Sequence, residues 1–349
     1  YGLALKERLT NRLNVAQTGT LYHAVFEGVV QQLIIQQLSL RDISQKALQQ
    51  LVADNMAEIT AQPAYQMLQE TGKMRATQHY LAKVSEILAV NMQRAARVNH
   101  AQPKAVERLF GFPNRQSLPA LVVSTPQATV HLRGKIDRLD SQDPSQVYGT
   151  IIDYKSNGKH FDWGQAYDGR QMQLLTYWQA AQLSAEQLGI EAIGGAFFAK
   201  IAPEKLTIKD FKGDVRAMLR GEIKPEQFKY RGLFISEPAY IDSLETLAEG
   251  EGSQFYQLKK KANGELYANS DVILPEDFEL LLKRNLDNIQ RASAAILSGD
   301  FPLSPAEGGL QFTPFTDVLR FDRALGDQYK SNTPKNKSDI LKLLKADEE

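Results

Sequence analysis

A chain of 349 residues is long enough for one large domain with extensions or for two domains, so a small stapled scaffold is excluded. Its 43% hydrophobic and 23% charged residues, with a mean hydropathy of −0.36, exclude wholesale disorder, and no apolar run approaches the ~20 residues that cross a bilayer. The 41 basic residues equal the 41 acidic ones, so bulk charge names no partner, and the absence of cysteine removes disulfides, thiolate zinc sites, iron–sulfur clusters and cysteine nucleophiles together.

Any metal must therefore be held by His, carboxylates or backbone oxygens. The chain opens on Tyr1 without a basic-then-apolar leader, so we expect a piece of a longer polypeptide working in the cytoplasm.

From Thr18 to about residue 100 the pattern is helical, with Leu21, Val25, Val29 and Leu33 four apart and Thr18 as the expected N-cap. Breaks at Ser39–Ser44 and Pro63–Arg75 predict two or three helices. The proline-rich stretch 103–126 predicts a lead-in strand near Val106–Phe110 and then a loop. Residues 128–139 and 147–154 are rich in β-branched side chains and flank a Ser-Gln-Asp-Pro-Ser turn, which predicts a hairpin.

A helix over 169–188 and a buried strand over 192–199 complete an α/β pattern with a mixed sheet. The charged stretch 203–251 reads as a surface excursion. A second hairpin is expected over 255–273 around Asn263-Gly264. Pro275–Leu297 reads as a long amphipathic helix with Pro275 at its start and Glu276, Asp277 and Glu279 in its first turn. Residues beyond Gly299 are loop-rich, 331–349 reads as a mobile tail with a short helix, and no internal repeat is present.

The most informative segment runs Gly134-Lys-Ile-Asp137-Arg-Leu-Asp140 and then Gly149-Thr-Ile-Ile-Asp153-Tyr-Lys155. Asp153 and Lys155 are two apart and share a strand face, among apolar neighbours where charge needs a reason. Two readings stand. Asp137 and Asp153 can ligate a divalent cation with Lys155 beside the scissile phosphate, or the pair can be a buried Asp–Lys ion bridge. His23 near the start of the first helix reads as a ligand or as a hydrogen-bonded boundary residue, and Glu27, four residues on, as a partner that could join it or as an exposed helix-face carboxylate. Gln173 and Tyr177 share one helix face and, taken alone, are ordinary boundary residues.

Taken together, Gly-Thr-Leu-Tyr-His23, Gly-x-x-Asp137-Arg-x-Asp140, Ile-Asp153-Tyr-Lys155-Ser and Gln173-x-x-x-Tyr177 resemble, in order and spacing, the RecB-like branch of the PD-(D/E)xK nucleases. The opening Tyr-Gly-Leu-Ala-Leu-Lys-Glu-Arg and closing Phe-Thr-Pro-Phe-Thr-Asp-Val-Leu-Arg-Phe-Asp look like AddB/RexB-type nuclease domains. The resemblance spans about residues 1–330. It implies a restriction-endonuclease-like α/β core, a mixed β-sheet flanked by helices, with an N-terminal helical segment (15–100) carrying the His motif and a catalytic core (105–200). An excursion and hairpin (203–273), then a long helix and C-terminal wrap (275–330), would follow.

It also implies a Mg²⁺-dependent DNA exonuclease, with Mn²⁺ able to substitute, acting on one strand of an unwound end beside an AddA/RexA-type helicase-nuclease partner and away from membranes. Metal ligands would be His23, Asp137, Asp153 and the carbonyl of Tyr154. Lys155 would activate water, Gln173 and Tyr177 would support the site and contact DNA, and Glu107 is a weaker candidate for a further acid. Basic residues Arg94, Arg97, Lys104, Arg108 and Arg115, with Phe110 and Phe112 between them, can track a DNA backbone or form a solvated face.

The chain departs from the family where three cysteines of an iron–sulfur cluster usually stand: here the positions are Leu310, Thr313 and Leu319. No cluster is therefore expected, and packing of Leu310, Phe312, Phe315, Leu319 and Phe321 is expected to hold the C-terminal segment down. No Gly-x-x-x-x-Gly-Lys-Ser/Thr loop occurs, so ATP hydrolysis by this chain is not expected. The rival expectations are a catalytically silent DNA-binding scaffold on the same fold and another RecB-like enzyme, such as a CRISPR-associated end-trimming nuclease.

Overall fold

Capping residues and apolar spacing build the N-terminal layer. In the computed structural model, which describes residues 13–99, 101–142, 147–156, 158–201, 228–300, 302–311, 313, 315–330 and 336–347, helix α1 (Val15–Ile35) begins at Asn14 rather than Thr18. Asn14 accepts from the Gln17 N–H at 2.7 Å while the Gln17 side chain accepts from the Asn14 N–H at 2.9 Å, a reciprocal cap. Thr18 instead donates its hydroxyl back to the Asn14 carbonyl. Helix α2 (Gln45–Thr60) is capped by Ser44. A single 3-10 turn (Pro63–Tyr65) and the short α3 (Met67–Glu70) fill the predicted break before α4 (Gly72–Asn99), which buries Leu81, Val84, Leu88, Met92 and Ala95 on one stripe.

The first strand, β1 (Ala101–Phe110), starts earlier than expected. What reads as one strand over 128–139 is broken at Arg133. Its first part, β3 (Thr129–Leu132), pairs with β2 (Leu121–Ser124) in a small separate sheet, and its second part opens β4 (Gly134–Gln142). Gly134 is required by close approach, because a Cβ there would meet the Phe110 ring at 2.6 Å. Next come β5 (Tyr148–Lys155), α5 (Trp163–Tyr167), α6 (Gln173–Gln182), α7 (Ala185–Leu188) and β6 (Ala192–Lys200). The single helix expected over 169–188 is thus two, interrupted at Leu183–Ser184. Then follow β7 (Arg231–Ile235), α8 (Pro238–Leu244), β8 (Val272–Ile273), α9 (Pro275–Ser298), α10 (Thr316–Leu319) and α11 (Lys337–Ala346).

The main sheet has six strands in the order β1-β4-β5-β6-β7-β8. β6 runs parallel to β5, while β1, β4 and β5 pair antiparallel in succession, as do β6 and β7. The central pair is buried along almost its whole length because helices cover both faces. One face packs Tyr154 and Phe197 against α1, α2 and α4; the other packs Ile151 and Phe198 against α5, α6, α9 and α11.

Three expectations change, and a fourth falls largely outside the described residues. The second hairpin is reduced to isolated bridges, Gly252–Lys259 and Lys260–Leu266, because Phe255, Tyr256 and Leu258 are drawn into the core. Residues 202–227, much of the expected excursion, lie outside the described residues, as do 1–12 and Phe312. Of the five C-terminal side chains expected to pack, none of the four described is buried: Phe315 is 53% and Leu319 38% exposed, while Leu310 and Phe321 are half-buried. The tail is docked rather than mobile over 337–346: Ile340 and Leu344 are buried, Lys345 pairs with Asp277 at 2.8 Å, and Asp347 meets Arg284 and Tyr167. Among the described residues, no helix is long and apolar enough to cross a membrane.

Candidate active site

The β4–β5 ladder runs from Ser141–Gly149 to Arg138–Ile152, whereas β5 stays paired with β6 as far as Lys155–Lys200. Past the Arg138–Ile152 rung, the Tyr154 N–H is donated not to a strand carbonyl but to the Asp137 carboxylate, at 2.8 Å. A side chain thus closes the ladder, and the two acids face one another where the strands part.

Helix α1 passes this opening and brings His23 Nδ1 to 3.5 Å from Asp137 Oδ2, with the imidazole edge-on to the Tyr154 ring. Asp153 is 1% exposed. Its Oδ1 accepts from Gln173 Nε2 at 2.9 Å, the same nitrogen lies 3.0 Å from the Tyr177 hydroxyl, and its Oδ2 pairs with Lys155 Nζ. The structure therefore brings together His23, Asp137, Asp153, Tyr154, Lys155, Gln173 and Tyr177, while Asp140 of the second motif is paired with Arg138. The side chain of Tyr154 points away from the opening, toward Arg138, so its contribution to the site is its backbone.

Burial sets the electrostatics. It pushes the Asp153 carboxyl up to about 6, with Lys155 opposing and Asp137 adding to the rise. It also raises Asp137, against the Tyr154 N–H and the charge of Lys155. Burial lowers His23 despite the nearby charge of Asp153, which keeps the imidazole neutral with a lone pair to give.

Glu107, the weaker candidate, lies on β1 between the Val106–Arg138 and Arg108–Ile136 rungs, and so opposite Asp137. Its φ of +51° is a left-handed conformation that costs a non-glycine residue of order 1–3 kcal/mol. Together with Glu27, His23, Lys135 and Asp137 it lines a cavity of about 670 Å³, and it forms an ion pair with Lys135. Glu27 is thus a cavity-lining residue, not simply an exposed helix-face carboxylate. Sequence reasoning misses Lys135; its place two residues before Asp137, on the same strand face, is the available signal.

Two carboxylates and an imidazole whose pKa burial lowers are donors of the kind that a hard divalent cation would accept. Apart from its ion pair with Lys155, the buried Asp153 Oδ2 has no partner. Among the described residues, no group of three or more His, Asp or Glu side chains is arranged to hold a metal ion. Asp137 accepts from the Tyr154 N–H and Asp153 pairs with Lys155 in this arrangement.

Among the basic residues and their aromatic neighbours, Phe110 is buried against Gly134, Lys104 donates to the Gly189 carbonyl and Arg97 to that of Arg41.

Comparison with known proteins agrees with this geometry. Residues 1–308 match the PD-(D/E)XK nuclease superfamily. The chain is 99% identical, over all of its length and 30% of the relative's, to a subunit of the ATP-dependent helicase/deoxyribonuclease of Leuconostoc citreum (strain KM20). Identity to the corresponding subunit is 57% in Leuconostoc mesenteroides, over 99% of this chain and 29% of the relative, and 32% in Oenococcus oeni, over 100% and 32%. The chain thus spans about a third of the length of these relatives. A match of that extent, on a sheet that delivers two acids and a lysine to one parted strand end, makes the conclusion direct: the chain belongs to the PD-(D/E)XK nuclease superfamily.

Proposed function

We propose that this chain is the nuclease domain of an AddB/RexB-type protein, hydrolysing phosphodiester bonds of one DNA strand delivered from an unwound end by an AddA/RexA-type partner in the cytoplasm. The observation that carries the reading is the convergence of His23, Asp137, Asp153 and Lys155 where β4 and β5 part. The relatives' names, which describe a subunit of an ATP-dependent helicase/deoxyribonuclease, support a DNA substrate and a partner subunit.

In this reading Mg²⁺, replaceable by Mn²⁺, is held by His23, Asp137, Asp153 and the carbonyl of Tyr154, with Glu107 as a further acid of the same cavity. When bound, the ion supplies Lewis acidity toward a phosphoryl oxygen and acidifies water. The chain's own groups do the rest. Gln173 fixes Asp153 Oδ1 so that Oδ2 stays directed at Lys155, and Tyr177 holds Gln173 in place. Lys155 Nζ, once released from Asp153, stabilises charge on the phosphate and orients the attacking water. That water's oxygen bonds to phosphorus as the bridging oxygen leaves and takes up a proton.

A second reading, a silent DNA-binding scaffold, draws on the Asp153–Lys155 pair that ties up the site as it stands. Degradation of linear single-stranded DNA by the purified chain separates the two. The nuclease reading predicts Mg²⁺-dependent cleavage that EDTA abolishes and that Asp153→Ala or Lys155→Ala reduces by roughly 10³-fold or more. Cleavage that survives either substitution removes that residue from the mechanism, and DNA binding without any cleavage favours the scaffold.

A further inference from the structure

Beside the parted strands lies a second hollow of about 470 Å³, lined by Lys155, Ser156, Lys159, Gln165 and Gln171 among others. Ser156 also lines the cavity of His23 and Asp137, so the two hollows meet at that residue.

Charge in this hollow is one-sided. The acid on its wall, Asp162, is committed to capping α5, accepting from the Gln165 N–H at 2.9 Å and from the Gln165 side chain at 3.2 Å. The two cations share one aromatic ring: Lys155 Nζ is 5.7 Å and Lys159 Nζ 4.9 Å from the Phe198 centroid. Lys155 has Asp153 as its ion partner. Lys159 has the Phe198 ring and the charge of Asp153 as its attractive surroundings among the described residues. Burial lowers the pKa of Lys159, and the charge of Lys155 lowers it further. Two ammonium groups held together in a half-buried hollow repel until an anion joins them, and a ring face attracts each far less than a phosphate oxygen does.

We propose that this hollow is a phosphate subsite in which Lys159 binds the phosphodiester one nucleotide from the bond that is cut. The proposal rests on the nuclease reading above. A strand whose scissile phosphate lies at Lys155 carries its next phosphate past Ser156 into the hollow, matching two negative charges to two positive ones. Lys159 then acts as a substrate-positioning residue that fixes the register of the strand without touching the reacting atoms.

The test is equilibrium binding of a fluorescent single-stranded oligonucleotide to the 349-residue chain in EDTA across a salt series, alongside cleavage kinetics in Mg²⁺. Lys159→Ala is expected to weaken binding about tenfold. It should also lower the slope of log affinity against log salt by about 0.7, the signature of one lost single-strand phosphate contact. In cleavage it should raise KM by more than it lowers kcat, and Lys159→Arg should retain the slope and most of the affinity. Unchanged affinity and slope in Lys159→Ala, while Asp153→Ala still abolishes cleavage, overturns the subsite alone. A wild-type chain that neither binds nor cuts the oligonucleotide overturns the nuclease reading and the subsite with it.

Discussion

Strand β4 carries two aspartates three residues apart, Asp137 at 7% exposure and Asp140 at 2%, and they meet opposite fates. Asp140 is closed off: both oxygens are taken by the Arg138 guanidinium at 2.5 Å, and Arg138 is itself buried and reaches the Tyr154 hydroxyl. Asp137 is open. It faces a cavity with one backbone N–H and a neutral imidazole beside it, and a second carboxylate, Asp153, lies close enough for the charge of Asp137 to raise its pKa further. Burial of an acid therefore says little about its role. A matched cation in fixed bidentate geometry makes structure, and convergent acids beside a hollow make a site.

The strongest way to break this contrast is to remove the cation of the closed pair. Arg138→Met leaves Asp140 buried and uncompensated and should cost about 3–5 kcal/mol of stability, measured by denaturant unfolding. The double variant Arg138→Met with Asp140→Leu should recover much of that loss, and a single variant as stable as wild type would show that the pair is not what holds β4 there.

A subtler effect concerns pH. The folded pKa of Asp153, about 6, lies above the unfolded value near 3.8, so this group favours the metal-free fold most below the unfolded value and loses that contribution as pH rises through 6. On the proposed ligand set cation binding runs the other way, because a proton on Asp153 would displace the metal. Thermal stabilisation by Mn²⁺ should be full above pH 7 and fade toward pH 5, falling about tenfold in affinity per unit below 6. Stabilisation that is flat across that range would remove Asp153 from the ligand set.

Much of the site is legible in the sequence because its spacings are local. Asp153 and Lys155 share a strand face, Gln173 and Tyr177 share a helix face, and the four motifs keep their order along the chain. The cap at Asn14 is legible too, since Asn-x-x-Gln is a reciprocal capping pattern, but Thr18 offers a competing start closer to the apolar repeat. Glu107 opposite Asp137 is visible only as a weak candidate, because strand register across β1 and β4, with a shift between Pro103 and Ala105, is a tertiary property. The docking of 337–346 cannot be read either: Ile340, Leu341, Leu343 and Leu344 give a short charged helix an apolar side, but only packing near Asp277 and Arg284, far away in sequence, gives that side a partner.

The central claim is that the parted end of β4 and β5 binds a divalent cation, and calorimetric titration of Mn²⁺ into the purified chain at about pH 7.5, above the folded pKa of Asp153, tests it most directly. The account predicts saturable binding that Asp137→Asn and Asp153→Asn each weaken about tenfold or more in variants that remain folded. Binding of unchanged affinity in both variants would contradict it.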